Sequence, residues 1–265
     1  MEWFQAIILG IIQGLTEFLP VSSSGHLIIG REILGIGTSE NVAFEIVVHA
    51  ATVCATITIL WKEIWQLFVK LFQFKWNDET QYVAKILVSM IPVLIVGVFF
   101  KDMVEQFFGE GLVLVGAMLI VTAVLLLLTK FVKFPDRKNI SFGSAFVIGI
   151  AQAVAVLPGL SRSGSTIATG LLLGTKKEEI AQFSFLMVII PILGECFLDF
   201  IGGGFSEAAS GLPAISMILG FIAAYISGLM ACKWMIALVK RANLIWFSVY
   251  CTIVGIIALI IGCMA

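Results

Sequence analysis

Six apolar runs of about 20 residues each constrain the fold of this chain more than any other feature. A helix of that length crosses the hydrocarbon core of a bilayer, and an uncharged run has little reason to stay in water. The chain is 60% hydrophobic and 12% charged, whereas a soluble domain carries about 25% charged residues. We therefore expect one all-α integral membrane domain over residues 1–265. The predicted spans are Ala43–Trp61, Tyr82–Phe100, Leu112–Thr129, Ile180–Leu198, Pro213–Ala231 and Leu244–Met264.

Charge and cysteine content exclude several other classes of protein. A formal net charge of -1 provides no basic face to neutralise phosphates along a nucleic acid. The five cysteines are scattered singly, which predicts neither a disulfide framework nor a zinc site. The first ten residues lack the basic start of a signal peptide, so we expect them to belong to the mature structure.

Lysine and arginine are concentrated in alternate connections between the predicted spans. Residues 62–85, 130–138 and 233–241 are rich in positive charge, whereas residues 101–111 and 199–212 are mainly acidic. Because cytoplasmic connections carry an excess of Lys and Arg, the first three should lie inside and the other two outside. This alternation predicts a membrane protein with several spans.

The segment 141–174 does not fit a simple span. It begins after Lys138 and ends at Lys176, two basic positions that the charge pattern places on the cytoplasmic side. A segment that enters and leaves on one side is a re-entrant hairpin. Its break is predicted at Pro158 and Gly159, because proline removes a backbone donor and glycine permits a turn.

The N-terminal segment 2–35 shares short motifs with 141–174 at an offset of 139 residues. The matches are G-I-I-Q at 10–13 with G-I-A-Q at 149–152, S-S-S-G at 22–25 with S-R-S-G at 161–164, and L-G at 34–35 with L-G at 173–174. We interpret residues 1–138 and 139–265 as two repeats, each a hairpin followed by three spans. Because three is odd, the second repeat is inverted, and a site is expected where the two hairpin tips meet.

Ionisable side chains at both predicted breaks mark this site. Arg162 stands in a polar run after the second break. Glu17 and His26 flank the first break, which is predicted at Leu19-Pro20. An arginine in hydrocarbon costs about 2.5 kcal/mol or more, so ionisable groups at membrane depth are expected to face a polar cavity and each other. Arginine grips phosphate oxygens in two-point geometry, and Gly-Ser turns expose backbone N–H groups to anions. Together, these groups are suited to binding a phosphate.

The same residues predict cleavage as well as binding. A serine activated by a histidine base, with a carboxylate to orient that base, is a common solution for attack on phosphorus. Ser23 is the best candidate for the nucleophile, with His26 as base, and the alternative makes His26 itself the nucleophile. A carboxylate can instead hold a divalent ion that bridges two phosphates.

The two polar runs resemble the motifs of one known family. Q-G-L-T-E-F-L-P-V-S-S-S-G-H at 13–26 and L-P-G-L-S-R-S-G-S-T at 157–166 are similar to the undecaprenyl-pyrophosphate phosphatases, also called the bacitracin-resistance family, and the similarity extends over essentially the whole chain. The resemblance implies a bacterial plasma-membrane enzyme that removes the terminal phosphate of undecaprenyl pyrophosphate to recycle the cell-wall lipid carrier. It also implies a divalent cation, Mg²⁺ or Ca²⁺, and a site open to the outer face.

The family motifs assign roles to individual positions of this chain. Many members carry Glu where this chain has Gln13, which leaves Glu17 as the stronger metal ligand. The expected partners are undecaprenyl pyrophosphate and the lipid bilayer, with a homodimer as an open alternative. Catalytic roles fall on Glu17, Ser23, His26 and Arg162, substrate binding on Gln13, Ser22, Ser161, Ser163, Gly164 and Thr166, and metal binding on Glu17.

Two further interpretations of the sequence are kept. Inverted repeats with broken helices are also the architecture of secondary transporters, so a carrier or flippase for a lipid phosphate or anion is the alternative function. Glu45 and His49 lie four residues apart and can share a helix face, and we interpret that pair as local structure.

Overall fold

The computed structural model describes residues 1–36, 42–108, 111–131, 138–201, 212–241 and 244–264. These ranges are helical throughout apart from short connections, and their single β-bridge pairs Lys138 with Thr175. The helices are α1 (Trp3–Phe18), α2 (Ser23–Leu34), α3 (Val42–Ile59), α4 (Trp61–Leu71), α5 (Asp78–Phe99), α6 (Lys101–Phe108), α7 (Gly111–Phe131), α8 (Phe142–Val154), α9 (Arg162–Leu172), α10 (Lys177–Met187), α11 (Ile189–Ile201), α12 (Ala214–Arg241) and α13 (Ile245–Met264).

The described helices include five that are long and apolar enough to cross a membrane. They are α5, α7, the α10–α11 run, α12 and α13, and α3 with α4 adds a sixth if that bent pair is one span. The angle between α3 and α4 is 78°. The expected all-α membrane fold is therefore confirmed at this level, with five or six spans in the predicted places.

Three helix boundaries differ from the sequence prediction. The predicted span 180–198 is two helices, since Pro191 cannot donate to Met187 and its ring crowds that carbonyl. The predicted span 213–231 continues as α12 to Arg241, because no glycine or proline stops it. The basic connection 62–85 is largely helical, formed by α4 and the start of α5.

Two pairs of short helices are each separated by a break at the predicted position. α1 ends before Leu19 and α2 begins at Ser23, while α8 and α9 are separated by a turn in which Gly159 has φ +91°. A φ of that sign favours glycine because a Cβ would be strained there.

The two ends of each helix pair come back together. Gln5 Nε2 donates to the carbonyl of Leu34 at 3.2 Å, which joins the start of α1 to the end of α2. Lys138 N donates to Gly174 O, and Lys176 N donates to Lys138 O, both at 3.1 Å. Each segment therefore returns to the place where it began, as a hairpin does.

Glycine allows the first helix of each pair to pack closely on a long helix from the other half of the chain. A Cβ at Gly10 of α1 would lie 2.4 Å from the carbonyl oxygen of Gly220 in α12. A Cβ at Gly149 of α8 would lie 2.4 Å from the carbonyl oxygen of Ser89 in α5. Small residues at such crossings let helix backbones approach each other within a membrane protein.

These close crossings predict that alanine at either glycine destabilises the protein. Gly10→Ala and Gly149→Ala each force a backbone to move, and overpacking of this kind costs about 1–3 kcal/mol. We expect a lower thermal unfolding temperature in detergent for both variants. Gly97→Ala is the matched control, because nothing lies within 4 Å of its added Cβ. Equal unfolding temperatures for Gly10→Ala, Gly149→Ala and Gly97→Ala would contradict the packing described here.

Candidate functional site

The two hairpin breaks meet through an ion pair. Arg162, the first residue of α9, donates from Nη2 to Oε1 of Glu17, which lies in the last turn of α1, 145 residues earlier. The side chain of Glu17 is 7% exposed and that of Arg162 is 26% exposed. A charge that is withdrawn from water needs a partner of opposite sign, so this pair fixes the position of one tip against the other.

The Glu17 carboxylate collects three further side chains. Its Oε2 accepts a hydrogen bond from Ser23 Oγ at 2.6 Å and another from Gln13 Nε2 at 2.9 Å. His49 Nε2 of α3 lies 3.7 Å from the same oxygen. Sequence analysis predicted that Glu17, Ser23 and Arg162 meet, and the structure brings them together around one carboxylate.

Serine caps position the two helices that start at the breaks. Ser22 Oγ accepts from Gly25 N at 3.2 Å at the start of α2, and Ser161 Oγ accepts from Gly164 N at 3.0 Å at the start of α9. A serine at this position satisfies one of the free N–H groups of the first helical turn. Ser22 has φ +71°, an uncommon conformation for a residue with a side chain.

Direct contacts between the breaks place these two helix N-termini side by side. Ser163 Oγ donates to the carbonyl of Leu19 at 3.0 Å, and Gly159 N donates to Ser24 Oγ at 3.4 Å. The N-terminus of a helix carries partial positive charge and attracts anions. Two such ends, together with the Arg162 guanidinium, make this the most favourable region of the described structure for a phosphate.

The cleft beside the ion pair is lined by both polar and apolar side chains. The polar lining includes Glu17, Arg162 and Ser163, together with Thr52 and Thr56 of α3 and Ser184 of α10. The apolar lining includes Phe18, Val53, Phe185, Val188 and Ile192. A cleft with this lining suits a ligand that combines a charged group with an apolar body.

The remaining predicted binding residues of the second break support its shape. Thr166 is fully buried, donates to the carbonyl of Arg162 at 2.9 Å and lies 2.7 Å from the hydroxyl of Ser184. A Cβ at Gly164 would lie 3.3 Å from Pro20, so glycine lets the first break approach α9. Ser161 is 1% exposed and does not line the cleft. A substrate contact for these three residues stays a prediction.

His26 lies on α2, but its ring nitrogens take no part in the hydrogen bond between Ser23 and Glu17. Its Nδ1 is 2.8 Å from the carbonyl oxygen of Ser22, and its Nε2 is 2.7 Å from the hydroxyl of Tyr250 on α13. The His26 ring also stacks on Tyr250, with centroids 5.5 Å apart and planes at 10°. Ser23 is thus hydrogen-bonded to Glu17, and both ring nitrogens of His26 have other partners.

His49 and Tyr250 are site residues that sequence reasoning missed. The Glu45 carboxylate pairs with Arg31 at 2.5 Å, whereas the carbonyl of Glu45 is 2.7 Å from His49 Nδ1. The sequence predicts that Glu45 and His49 form local structure, and the contact between the Glu45 carbonyl and His49 exists. The same contact also directs the other ring nitrogen of His49 toward Glu17. The available signal was composition: the chain has two histidines, and both lie beside the tips.

Oxygen donors for a divalent ion are present but few. The buried Oε1 of Gln13 has no hydrogen-bond partner among the described residues, and Glu17 lies one helical turn along. No group of three or more His, Cys, Asp or Glu side chains in the described ranges is suited to a metal. Magnesium is usually held by one or two carboxylates, with substrate phosphates and water completing the shell, so Glu17 and Gln13 stay the predicted ligands.

Comparison with known proteins identifies the family of this chain. The family model described as bacitracin resistance protein BacA matches residues 6–257. An undecaprenyl-diphosphatase of Bacteroides fragilis is 61% identical over 263 residues, with 99% of each chain covered. One of Bacteroides thetaiotaomicron is 59% identical over 98% of this chain and 99% of the relative, and one of Salinibacter ruber is 39% identical over 96% and 97%. With so complete a match, the chain belongs to the bacitracin resistance protein BacA family.

Proposed function

We propose that this chain is an undecaprenyl-diphosphatase of the bacterial membrane. It hydrolyses undecaprenyl pyrophosphate to undecaprenyl phosphate and inorganic phosphate, which recycles the lipid carrier of cell-wall synthesis and confers bacitracin resistance. The observation that carries the proposal is the meeting of Arg162, Glu17 and Ser23 at the contact between two helix N-termini, in a chain whose relatives with 59–61% identity carry that name.

The lining of the cleft supports a lipid pyrophosphate as the substrate. Its lining combines the charged groups of Arg162 and Glu17 with apolar side chains that include Phe185 and Ile192. The pyrophosphate binds at the Arg162 end and the isoprenoid chain leaves along the apolar side toward the bilayer. Family membership and the apolar helices support a multi-pass membrane location.

Arg162 holds the terminal phosphate of the substrate. A guanidinium has five N–H donors, and Arg162 makes its contact with Glu17 through Nη2. A pyrophosphate carries more negative charge than one carboxylate and can take over the remaining donors in two-point geometry. Arg162 then stabilises the charge that develops on the transferred phosphoryl group.

Ser23 is the proposed nucleophile. Its Oγ forms a bond to the terminal phosphorus while the bond from that phosphorus to the bridging oxygen breaks, and undecaprenyl phosphate leaves. The serine proton passes to the Glu17 carboxylate, which already accepts the hydrogen bond at 2.6 Å. Water then hydrolyses the phosphoserine and releases inorganic phosphate. The base role that the sequence assigned to His26 stays a prediction, and the water-activating step is where a base is still needed.

A divalent cation, Mg²⁺ or Ca²⁺, is part of the proposal. The Glu17 carboxylate and the Gln13 amide oxygen would hold it, and a bound cation neutralises charge on the pyrophosphate oxygens. The orphaned Oε1 of Gln13 supports this assignment.

The proposed topology is an inverted repeat with two re-entrant hairpins and a site open to the outer face. It is supported by the closed ends of both helix pairs and by the reciprocal packing of α1 on α12 and of α8 on α5. A homodimer remains the open alternative that the sequence analysis left.

Hydrolysis in detergent separates the proposed enzyme from the alternative lipid-phosphate carrier. Purified protein should release inorganic phosphate from a polyprenyl pyrophosphate, and a chelator should abolish the release until Mg²⁺ or Ca²⁺ is restored. Transport needs two compartments, whereas hydrolysis does not. A protein that binds the pyrophosphate lipid in detergent but releases no phosphate with either cation would support the carrier.

The nucleophile can be identified by trapping the phosphoenzyme. We expect an acid-stable phosphoserine that Ser23→Ala abolishes, while an acid-labile adduct lost in His26→Ala would establish the histidine alternative.

Arg162→Lys keeps the charge but loses the planar fork, so turnover should fall about 10²–10³-fold in a protein with unchanged thermal unfolding. Near-normal turnover in Arg162→Lys would contradict the role of the fork.

The hairpin topology predicts that both ends of the second hairpin are on one side of the membrane. Single cysteines at Lys138 and Lys176, in a chain without the five native cysteines, should react with an impermeant thiol reagent only in inside-out vesicles. Labelling of the two positions from opposite sides would exclude a re-entrant second hairpin.

A further inference from the structure

We propose that Tyr250 is a positioning residue for His26, fixing the tautomer and direction of the imidazole. The Tyr250 hydroxyl lies 2.7 Å from Nε2 of His26, and the two rings are stacked. The inference rests on the proposed function in one respect, which is that His26 belongs to the catalytic centre. The hydrogen-bond geometry itself is independent of the reaction.

The partners of His26 determine which nitrogen carries the proton. A backbone carbonyl can only accept, so the Ser22 carbonyl at 2.8 Å requires a proton on Nδ1. In a neutral ring the other nitrogen, Nε2, then has a free lone pair and accepts from the Tyr250 hydroxyl. Nε2 is therefore the only atom of neutral His26 that can accept a proton or attack phosphorus.

The backbone around Tyr250 is held against the catalytic hairpin. Ser248 Oγ donates to the carbonyl of Ala123 in α7 at 2.7 Å, and Cys251 Sγ is 3.6 Å from the carbonyl of Pro20 at the first break. Cys251 also packs in a buried cluster with Val21 of that break. These contacts on both sides of Tyr250 fix its position relative to α2, as a positioning role requires.

Tyr250 places the reactive nitrogen of His26 at the edge of the site that faces the bilayer. The tyrosine is 43% exposed, and its neighbours on the outer face of α13, Val249 and Ile253, are exposed as well. His49, by contrast, aims its Nε2 at the Glu17 carboxylate. The two histidines thus serve different parts of the site, because His26 lies at the exposed edge beside α13 and His49 lies beside Glu17.

Nitrogen NMR of ¹⁵N-histidine protein tests the geometry directly. Because the chain has two histidines, His49→Gln leaves His26 as the only labelled residue. At alkaline pH we expect a protonated Nδ1 and an unprotonated Nε2 whose resonance shows a hydrogen bond. Tyr250→Phe should move the Nε2 resonance to the position of a free lone pair. A proton on Nε2, or an Nε2 resonance unaffected by Tyr250→Phe, would overturn the proposal.

Steady-state kinetics of Tyr250→Phe, with the native His49 retained, test the consequence for turnover. One lost orienting hydrogen bond should lower kcat about tenfold and leave KM for the polyprenyl pyrophosphate within about twofold. Tyr82→Phe is the control, because its buried hydroxyl has no hydrogen-bond partner among the described residues.

The two measurements separate the failures of the two proposals. An unchanged or higher kcat in Tyr250→Phe would show that the tyrosine does not serve catalysis. A wild-type protein without phosphatase activity would refute the proposed function, while the NMR result would still decide whether Tyr250 positions His26.

Discussion

The ion pair between Glu17 and Arg162 is the interaction on which the rest of the structure depends. Each residue stands beside a break in a helix, where backbone groups are exposed in a chain built from apolar spans. Either charge alone would be costly at that depth. Together they cancel, and the nearby capping hydroxyls of Ser22 and Ser161 satisfy the backbone groups that the breaks release. The two broken helices stabilise each other because each supplies the opposite charge that the other needs.

The same pair gives the site its chemical use. A resting site that is internally neutralised can be buried at low cost, and a phosphate ligand enters by competing with Glu17 for the guanidinium. In the proposed mechanism, Arg162 turns to the phosphate, and the carboxylate then becomes a better acceptor for the Ser23 proton. Binding and activation would be coupled through this exchange of partners, for which the hydrogen bond between Ser23 and Glu17 is already in place.

The sequence predicted those features that depend on local composition. Apolar run lengths predicted where the spans lie, Pro158 and Gly159 predicted one helix break, and the ionisable side chains beside the breaks indicated that Glu17 and Arg162 meet. Features that depend on how the helices rotate and cross could not be predicted from the sequence. Whether His49 faces lipid or Glu17 depends on the orientation of α3, and Tyr250 reaches His26 from a helix that begins at Ile245. The choice of Ser23 between Glu17 and His26 depends on a side-chain rotamer, which spacing along α2 leaves open.

The predicted repeat gives the two tips different tasks in the proposed mechanism. At the offset of 139 residues, Ser23 corresponds to Arg162 and Glu17 corresponds to Val156. Ser23 and Arg162 each begin a helix and each donate to Glu17, so the matched positions supply two donors around one carboxylate. Two arginines there would provide no nucleophile, and two serines would lack the fixed positive charge that holds a phosphate. In the proposed mechanism, a guanidinium at one position and a hydroxyl at the other therefore divide binding from attack.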